Sequence, residues 1–310
     1  MRVVNDKQDP VEVKSVDIFA LISQMFLVSV GIATWVFAPM TMVLSHCRFT
    51  NPWSKVSGLG GAILALLFLE VSLAQVVIGF VLSLFVADSL QKEVKPFQLL
   101  SQSLAVALVA AAGCLIWGSI TENIRVQDFW GRWVAELIEK LKATHALDGA
   151  MNIAVIKDLI LYEGPFLYLL ASLLSIWIAV GAAAHFGWVK EEKSPYSAVS
   201  LKAFRVPRWL SLCFIISFAL TLVVTSRYQY LVGGVFRVLS GFIFIQGSIC
   251  LSILLAQRGV RHSVRTFIYC VAVLLGFYAL VGMGIMSPWI LRKRRGISPQ
   301  ILPNYLEEQT

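Results

Sequence analysis

Residues 164–189 read GPFLYLLASLLSIWIAVGAAAHFGWV, a stretch of 26 positions without Asp, Glu, Lys or Arg. A helix needs about 20 mainly apolar residues to cross the hydrocarbon core of a bilayer. The stretch is therefore long enough to span a membrane, and it predicts a transmembrane helix. Seven further windows also lack charge: Ile18–Ser45, Val56–Leu69, Val71–Ala87, Pro96–Thr121, Trp209–Ser226, Val238–Gln257 and Thr266–Leu291.

The composition of the whole chain supports this fold class. Of the 310 residues, 58% are hydrophobic and 14% are charged, and the mean hydropathy is +0.77. Soluble domains carry about 25% charged residues. The sequence predicts an all-α, polytopic transmembrane bundle of about seven or eight spans. We expect an N-terminal tail at 1–17, a transmembrane domain at 18–291 whose first helix is retained, and a basic C-terminal tail at 292–310.

Two parts of the pattern leave the span count open. Val56–Leu69 and Val71–Ala87 adjoin at Glu70, so this region is either one long tilted helix or two short helices forming a hairpin. Pro39 lies inside the first window. Because proline interrupts a helix, we expect the first helix to end before it and a short segment through Ser45 to turn back.

The net charge of +8 and the isoelectric point of about 9.3 arise from basic residues that flank apolar runs. This pattern is typical of cytoplasmic loops rather than of a nucleic-acid site. The basic loops at 190–208 and 258–265 are separated by two helices, so both can be cytoplasmic. A single last helix would place the basic tail at 292–295 on the other side, which leaves the side of the C-terminus open. We expect a multi-pass protein of the bacterial inner (cytoplasmic) membrane.

An insertion at 120–160 differs from the rest of the chain. Within it, apolar residues recur at helical spacing between Thr121 and Thr144, while the other face carries Asp128, Arg132, Glu136 and Lys140 at intervals of four. This predicts an extramembrane amphipathic helix. Its Trp130 and Trp133 suit the headgroup boundary. The helix is either a passive interfacial helix or a lid or docking surface for a partner.

Arg237 is the main candidate for ligand binding, since it is the single charge between Leu231 and Gln257. An intramembrane charge costs about 2.5–3.5 kcal/mol on insertion scales. Arg237 therefore binds an anionic ligand, pairs with Glu70, or extends to the nearby helix end. Ser248 shares its face, whereas Gln246 lies on the opposite face and bonds across helices or lines a pocket. Glu70 faces a cavity if its region is one helix and lies at the surface if it is a hairpin.

Small residues recur every four positions and predict close helix contacts, either within the bundle or with a separate subunit. They are Ala171, Ser175, Ala179 and Ala183, then Ser103, Ala107 and Ala111, and the pair Ser29 and Ala33.

No motif for catalysis or for a cofactor is present in the sequence. The five cysteines form no CxxC pair, and the four histidines lack metal-ligand spacing. The sequence also lacks a P-loop, so the chain has no such motif for ATP hydrolysis, and it lacks GxSxG. We therefore expect no enzyme activity, no metal and no cofactor.

Several short stretches carry a family resemblance. They are Ala38-Pro39 with the glycines at 58–61, Phe204-Arg205-Val206-Pro207, Phe244-Ile245-Gln246-Gly247, and Gly282-Met283-Gly284 through Trp289 to Arg292-Lys293-Arg294. In their order they resemble the YybS-like family of predicted bacterial membrane proteins, a domain of unknown function. That family often has an Asp after the last glycine, where this chain reads Ile285-Met286-Ser287.

The YybS-like family is usually grouped with the substrate-binding S components of energy-coupling-factor transporters. The resemblance implies a subunit that captures a small molecule, with a separate membrane subunit and ATPases supplying energy, and Ser29 and Ala33 would then be a docking pattern. The alternative is a non-transporting scaffold or assembly subunit of an envelope complex. In both cases the expected partners are the bilayer and other membrane proteins, or a second copy of the chain.

Overall fold

The computed structural model describes residues 18–34, 37–49, 51–69, 71–92, 94–143, 153–185, 204–224, 228–260, 264, 267–268, 271–272 and 276–292. The regular elements in these ranges are helices, as the sequence predicts. They are α1 (Ile18–Thr34), α2 (Ala38–Arg48), α3 (Asn51–Phe68), α4 (Leu73–Gln91), α5 (Pro96–Thr121), α6 (Val126–Ala143), α7 (Ile153–His185), α8 (Arg208–Val223), α9 (Tyr228–Gln257) and α10 (Phe277–Arg292).

Within the described part of the chain, four helices are long and apolar enough to cross a bilayer: Leu73–Gln91, Pro96–Thr121, Ile153–Gly181 and Tyr228–Leu255. Four others are apolar but shorter: Ile18–Thr34, Pro52–Phe68, Arg208–Val223 and Phe277–Pro288. By length and composition, these helices support a membrane protein.

The outer surface of the bundle is apolar. Large side chains that are at least 71% exposed include Phe19, Val109, Trp117, Leu222 and Tyr278. Soluble monomers rarely leave large contiguous apolar surfaces in water. In hydrocarbon the same side chains need no protein partner. The surface therefore agrees with the apolar helices in pointing to a lipid environment.

Positions 56–87 fall in two helices, since α3 ends at Phe68, α4 begins at Leu73, and the described residues 69, 71 and 72 between them are not helical. Ser72 caps α4 by accepting a hydrogen bond from the Gln75 backbone N–H at 3.3 Å. Glu70 itself lies outside the described residues. Pro39 stands in the first turn of α2, where a missing N–H is tolerated. Residues 35–36 lie outside the described residues, and the turn expected at Pro39 stays a prediction.

Helix α9 lies at the centre of the second half of the chain, where it contacts α7, α8 and α10. It runs parallel to α7, and its glycines let the two helices approach. A Cβ on Gly234 would overlap the ring of Phe166, and one on Gly241 would meet Leu170. Helix α8 is antiparallel to α9. The main hydrophobic core collects buried side chains from these helices and from α2, α4 and α5.

Contacts between neighbouring helices define two ends of the bundle. At one, which we call the α6 end, Gln75 donates to the Ala33 carbonyl at 2.9 Å. At the same end α6 packs against the end of α5, where a Cβ on Gly118 would overlap the ring of Phe129. Helices α7 and α9 begin at this end. The turns from α2 to α3 and from α4 to α5, the start of α8 and the end of α9 lie at the opposite end.

The last apolar window does not form one uninterrupted helix. Helix α10 begins at Phe277, and Gly276 before it is not helical, although residues 271–272 are. The Gly276 carbonyl accepts the first hydrogen bond of α10, from Leu280 N–H at 2.8 Å. The Gly276 N–H in turn donates to the Ala272 carbonyl at 2.9 Å, the spacing of a helical hydrogen bond, so among the described residues of the window Thr266–Leu291 only Gly276 departs from helix.

Candidate functional site

Arg237 forms an ion pair with Glu163 of α7. The Glu163 side chain is only 11% exposed, while that of Arg237 is 37% exposed. The sequence analysis considered pairing with Glu70, which is not among the described residues. A carboxylate buried to this degree needs a compensating charge, and Arg237 supplies it. The intramembrane arginine is therefore joined to its own chain.

A stacked pair of tyrosines lies next to the ion pair in sequence, near the start of α9. Tyr162 of α7 stacks on Tyr230 of α9 with ring centroids 4.7 Å apart. Arg237 follows Tyr228, the first residue of α9, by nine residues, a rise of about 14 Å. Tyrosines are enriched at membrane–water boundaries. The Arg237–Glu163 ion pair therefore lies on the side of the bundle near the α6 end, and Arg237 is its more exposed partner.

Gln246 is almost fully buried and uses both ends of its amide. Its Oε1 accepts from the Val206 backbone N–H at 2.7 Å. Its Nε2 donates to the Gly284 carbonyl at 2.9 Å and to Ser287 Oγ at 2.6 Å. One side chain of α9 thus joins α10 and the segment that leads into α8. We call this set the Gln246 clamp.

A proline explains why the clamp is needed at α10. Pro288 lies inside that helix, and a proline has no N–H to donate to the carbonyl four residues earlier. That carbonyl belongs to Gly284. It accepts instead from Gln246 and from Ser287 Oγ, the latter at 2.8 Å. In a membrane interior an unsatisfied carbonyl costs several kcal/mol, so the Gln246 amide and the Ser287 hydroxyl together replace the backbone hydrogen bond that Pro288 cannot make.

Glycines bring α9 and α10 close enough for this clamp. A Cβ on Gly247 would overlap the backbone carbonyl of Leu280, and one on Gly284 would overlap that of Ile243. Because the obstructing atoms are backbone, a side-chain movement cannot relieve either overlap. Small residues serve the same purpose in other membrane helix contacts.

Ser248 does not lie with Arg237 and Gln246 in one polar site. Its buried Oγ donates to the Phe244 carbonyl of its own helix at 2.9 Å. The four residues predicted to bind a ligand are therefore not brought together: Arg237 is in an ion pair, Gln246 is in the clamp, Ser248 bonds to its own helix, and Glu70 is outside the described residues.

The small-residue series mostly face the inside of the bundle. Ser175, Ala179 and Ala183 are at most 2% exposed, and Ala171 is partly buried. Ser103 and Ala107 of α5 are fully buried, and the Tyr168 hydroxyl of α7 donates to the Ala107 carbonyl at 3.1 Å. In α1, Ser29 is buried and bonds to the Phe26 carbonyl, whereas Ala33 is partly exposed. The buried members are covered by this chain itself.

Helix α6 is fastened to α7 through Trp130. The indole N–H donates to the Leu161 carbonyl at 2.9 Å. Trp130 also stacks on Trp133, with ring centroids 5.1 Å apart, and Trp133 is 44% exposed. Arg132 pairs with Glu122, which lies before the helix, at 2.6 Å. The spacing of four in the sequence would instead pair Arg132 with Asp128 or Glu136.

An open depression lies beside the α5–α6 turn. Its volume is about 610 Å³, and it is lined by Ser119, Ile120, Asn123, Ile124, Arg125 and Asp128. Cationic and anionic side chains both line it, and it contains none of the residues predicted to bind a ligand.

Several residues of these contacts were missed in the sequence. Glu163 is buried, although its place one residue before an uncharged window favours a solvated side chain by sequence alone. Val206 and Ser287 were not considered as partners of Gln246. One signal was available: Pro288 and Pro165 each imply a freed carbonyl four residues earlier. The donor that fills it comes from a distant helix, which spacing along the chain does not reveal.

These features describe an apolar helical bundle in which polar side chains join helices, the class of membrane protein that the fold supports. No family model matches the chain, and neither a curated protein nor a solved structure matches it.

Proposed function

We propose that the protein is a multi-pass integral protein of the bacterial inner membrane that acts as a scaffold or assembly subunit, and not as an enzyme. The observation that carries this proposal is the engagement of the intramembrane polar groups by the chain itself. A ligand at Gln246 would have to displace three hydrogen bonds that join helices. A ligand at Arg237 would have to share the guanidinium with Glu163, which already accepts from Nη1.

The span count of seven or eight is part of the proposal. Four long and four shorter apolar helices support it, since a helix shorter than the bilayer is accommodated by local thinning or by its neighbours. Of the ten described helices, α2 and α6 are not among these eight, and α6 also differs from the others in composition. Its window at 126–143 carries charged residues and the exposed Trp133, and we place it in the headgroup layer as an interfacial helix.

The charge distribution supports an orientation. Described basic side chains at the opposite end are Arg48, Lys55, Lys92, Lys95, Arg205, Arg208 and Arg258, with Asp88 as an acidic one. By sequence, the connection from α7 to α8 adds Lys190, Lys193 and Lys202, together with Glu191 and Glu192. The α6 end has as many described acidic residues as basic ones, six of each. The basic residues are Arg125, Arg132, Lys140, Lys142, Lys157 and Arg237. The acidic residues are Glu122, Asp128, Glu136, Glu139, Asp158 and Glu163. Lys and Arg favour the cytoplasmic side, so the α6 end would face outward.

Cysteine labelling tests this orientation. Lys92→Cys and Gln127→Cys place thiols at exposed positions on the two ends. In intact spheroplasts, a membrane-impermeant maleimide should label Q127C but label K92C only after lysis. The reverse pattern would contradict the orientation. The parent chain without either substitution controls for its native cysteines.

A small-molecule binding or transport subunit is the second candidate. Arg237 favours it, because 37% of the side chain is exposed and a guanidinium binds carboxylate and phosphate groups well. The resemblance to the YybS-like family also supports this candidate. In that arrangement, a partner membrane subunit with ATPases would supply the energy.

Native mass spectrometry of the protein, purified from its own membrane in mild detergent, separates the two candidates. The scaffold proposal predicts partner proteins in fixed stoichiometry that remain with the Arg237→Leu, Glu163→Gln variant. The transport candidate predicts a bound small molecule that the same variant loses. Monomeric protein carrying such a molecule, and no partner, would overturn the scaffold proposal. A purification from cells without the tagged chain identifies background proteins.

A further inference from the structure

A second proline, Pro165, divides the longest helix of the protein. Helix α7 has 33 residues with Pro165 inside it. Because proline lacks an N–H, the carbonyl four residues earlier has no partner within the helix. That carbonyl belongs to Leu161, and it is the group that accepts the Trp130 indole N–H at 2.9 Å. The hydrogen bond from Trp130 of α6 thus replaces the helical hydrogen bond that Pro165 cannot donate to Leu161.

The surroundings of this bond are arranged around the same turn of α7. Gly164 admits the Trp130 ring, since a Cβ at Gly164 would lie 3.2 Å from it. On the other side, Glu163 pairs with Arg237 and Tyr162 stacks on Tyr230 of α9. Residues 153–164, which we call the outer segment, are therefore held at their inner end by both α6 and α9.

We propose that Pro165 is a hinge in α7 and that α6 is its latch, with Trp130 closing the carbonyl that the proline frees. When the latch is released, the outer segment opens separately from residues 166–185. Helix α6 is suited to this role because it reaches α5 as well, through Phe129 against Gly118. A partner or lipid that moves α6 would thereby act on α7. This proposal is independent of whether the protein is a scaffold or a transport subunit.

Hydrogen exchange read by mass spectrometry on the full chain in nanodiscs tests the latch. Trp130→Phe keeps an aromatic ring but removes the donor. We expect exchange in the outer segment to become about tenfold faster, the effect of one lost hydrogen bond with its acceptor left unsatisfied. Residues 166–181 should not change. Trp133→Phe makes the same chemical change on the stacked neighbour and should alter exchange by less than about twofold.

The decisive comparison repeats Trp130→Phe in a Pro165→Ala background. Pro165 is exposed, so the substitution leaves no cavity in the core, and the alanine N–H can bond to Leu161 within the helix. The proposal predicts that Trp130→Phe then changes exchange by less than about twofold. An equal acceleration in both backgrounds would show that Trp130 acts through packing alone and would overturn the proposal. It would also be overturned if exchange did not accelerate or accelerated evenly along α7.

Discussion

Removing the Arg237 guanidinium should destabilise the protein more than removing the Glu163 charge. In Arg237→Leu, the carboxylate of Glu163 stays 89% buried without a partner, since its side chain is 11% exposed. Breaking a fully buried pair costs about 3–5 kcal/mol, and exposed pairs contribute about 0–1 kcal/mol. Because Arg237 is 37% exposed, we expect an intermediate loss of about 2 kcal/mol. In Glu163→Gln, the long arginine side chain can extend to the nearby boundary, and we expect about 1 kcal/mol.

The double variant Glu163→Gln, Arg237→Leu contains neither charge and should lose less than Arg237→Leu alone. Unfolding free energies measured in bicelles by steric trapping give the three values. A loss below about 0.5 kcal/mol for Arg237→Leu would refute the reasoning. So would a double variant whose loss equals the sum of the single losses, because independent sites add in that way.

Two further predictions concern the contact between α9 and α10. Gln246→Leu leaves the buried Val206 N–H unsatisfied, about 1–3 kcal/mol, and removes two bonds to α10 of about 0.6 kcal/mol each. The same unfolding assay should therefore show a loss of about 2–4 kcal/mol for Gln246→Leu. The control Ser248→Ala removes a hydrogen bond within one helix, and its loss should stay within about 0.5 kcal/mol. Equal losses for the two variants would contradict this prediction. Gly247→Ala should cost at least about 2 kcal/mol, since its Cβ overlaps backbone. Gly233→Ala, where a Cβ meets open space, should be neutral or stabilising by up to about 1 kcal/mol. A neutral G247A would show that the helices are farther apart than described.

The helices could be predicted from the sequence to a large extent. Uncharged windows locate the apolar helices because a bilayer excludes charge. The absence of charge is visible in the residues of each segment alone, so it does not depend on how the segments pack. The break between α3 and α4 was less certain, since the single Glu70 interrupts 31 otherwise uncharged positions in 56–87. The second helix begins only at Leu73, where Ser72 caps it.

The partners of the polar residues could not be predicted in the same way. Hydrogen bonds of Gln246 reach residues 38 to 41 positions away, and Arg237 reaches one that is 74 positions away. Such pairs depend on which helices pack against each other, and spacing along the chain does not reveal the partner helix. The prolines were the exception, because Pro165 and Pro288 each locate an unpaired carbonyl by chemistry alone.

The central claim is that polar side chains from neighbouring helices complete hydrogen bonds that the prolines of α7 and α10 remove. A double-mutant cycle of Gln246→Leu with Pro288→Ala tests it most directly, because alanine at the exposed position 288 can donate to the Gly284 carbonyl itself. The account predicts that Gln246→Leu costs about 1 kcal/mol less in the alanine background, the contribution of one hydrogen bond. An identical cost in both backgrounds would contradict it.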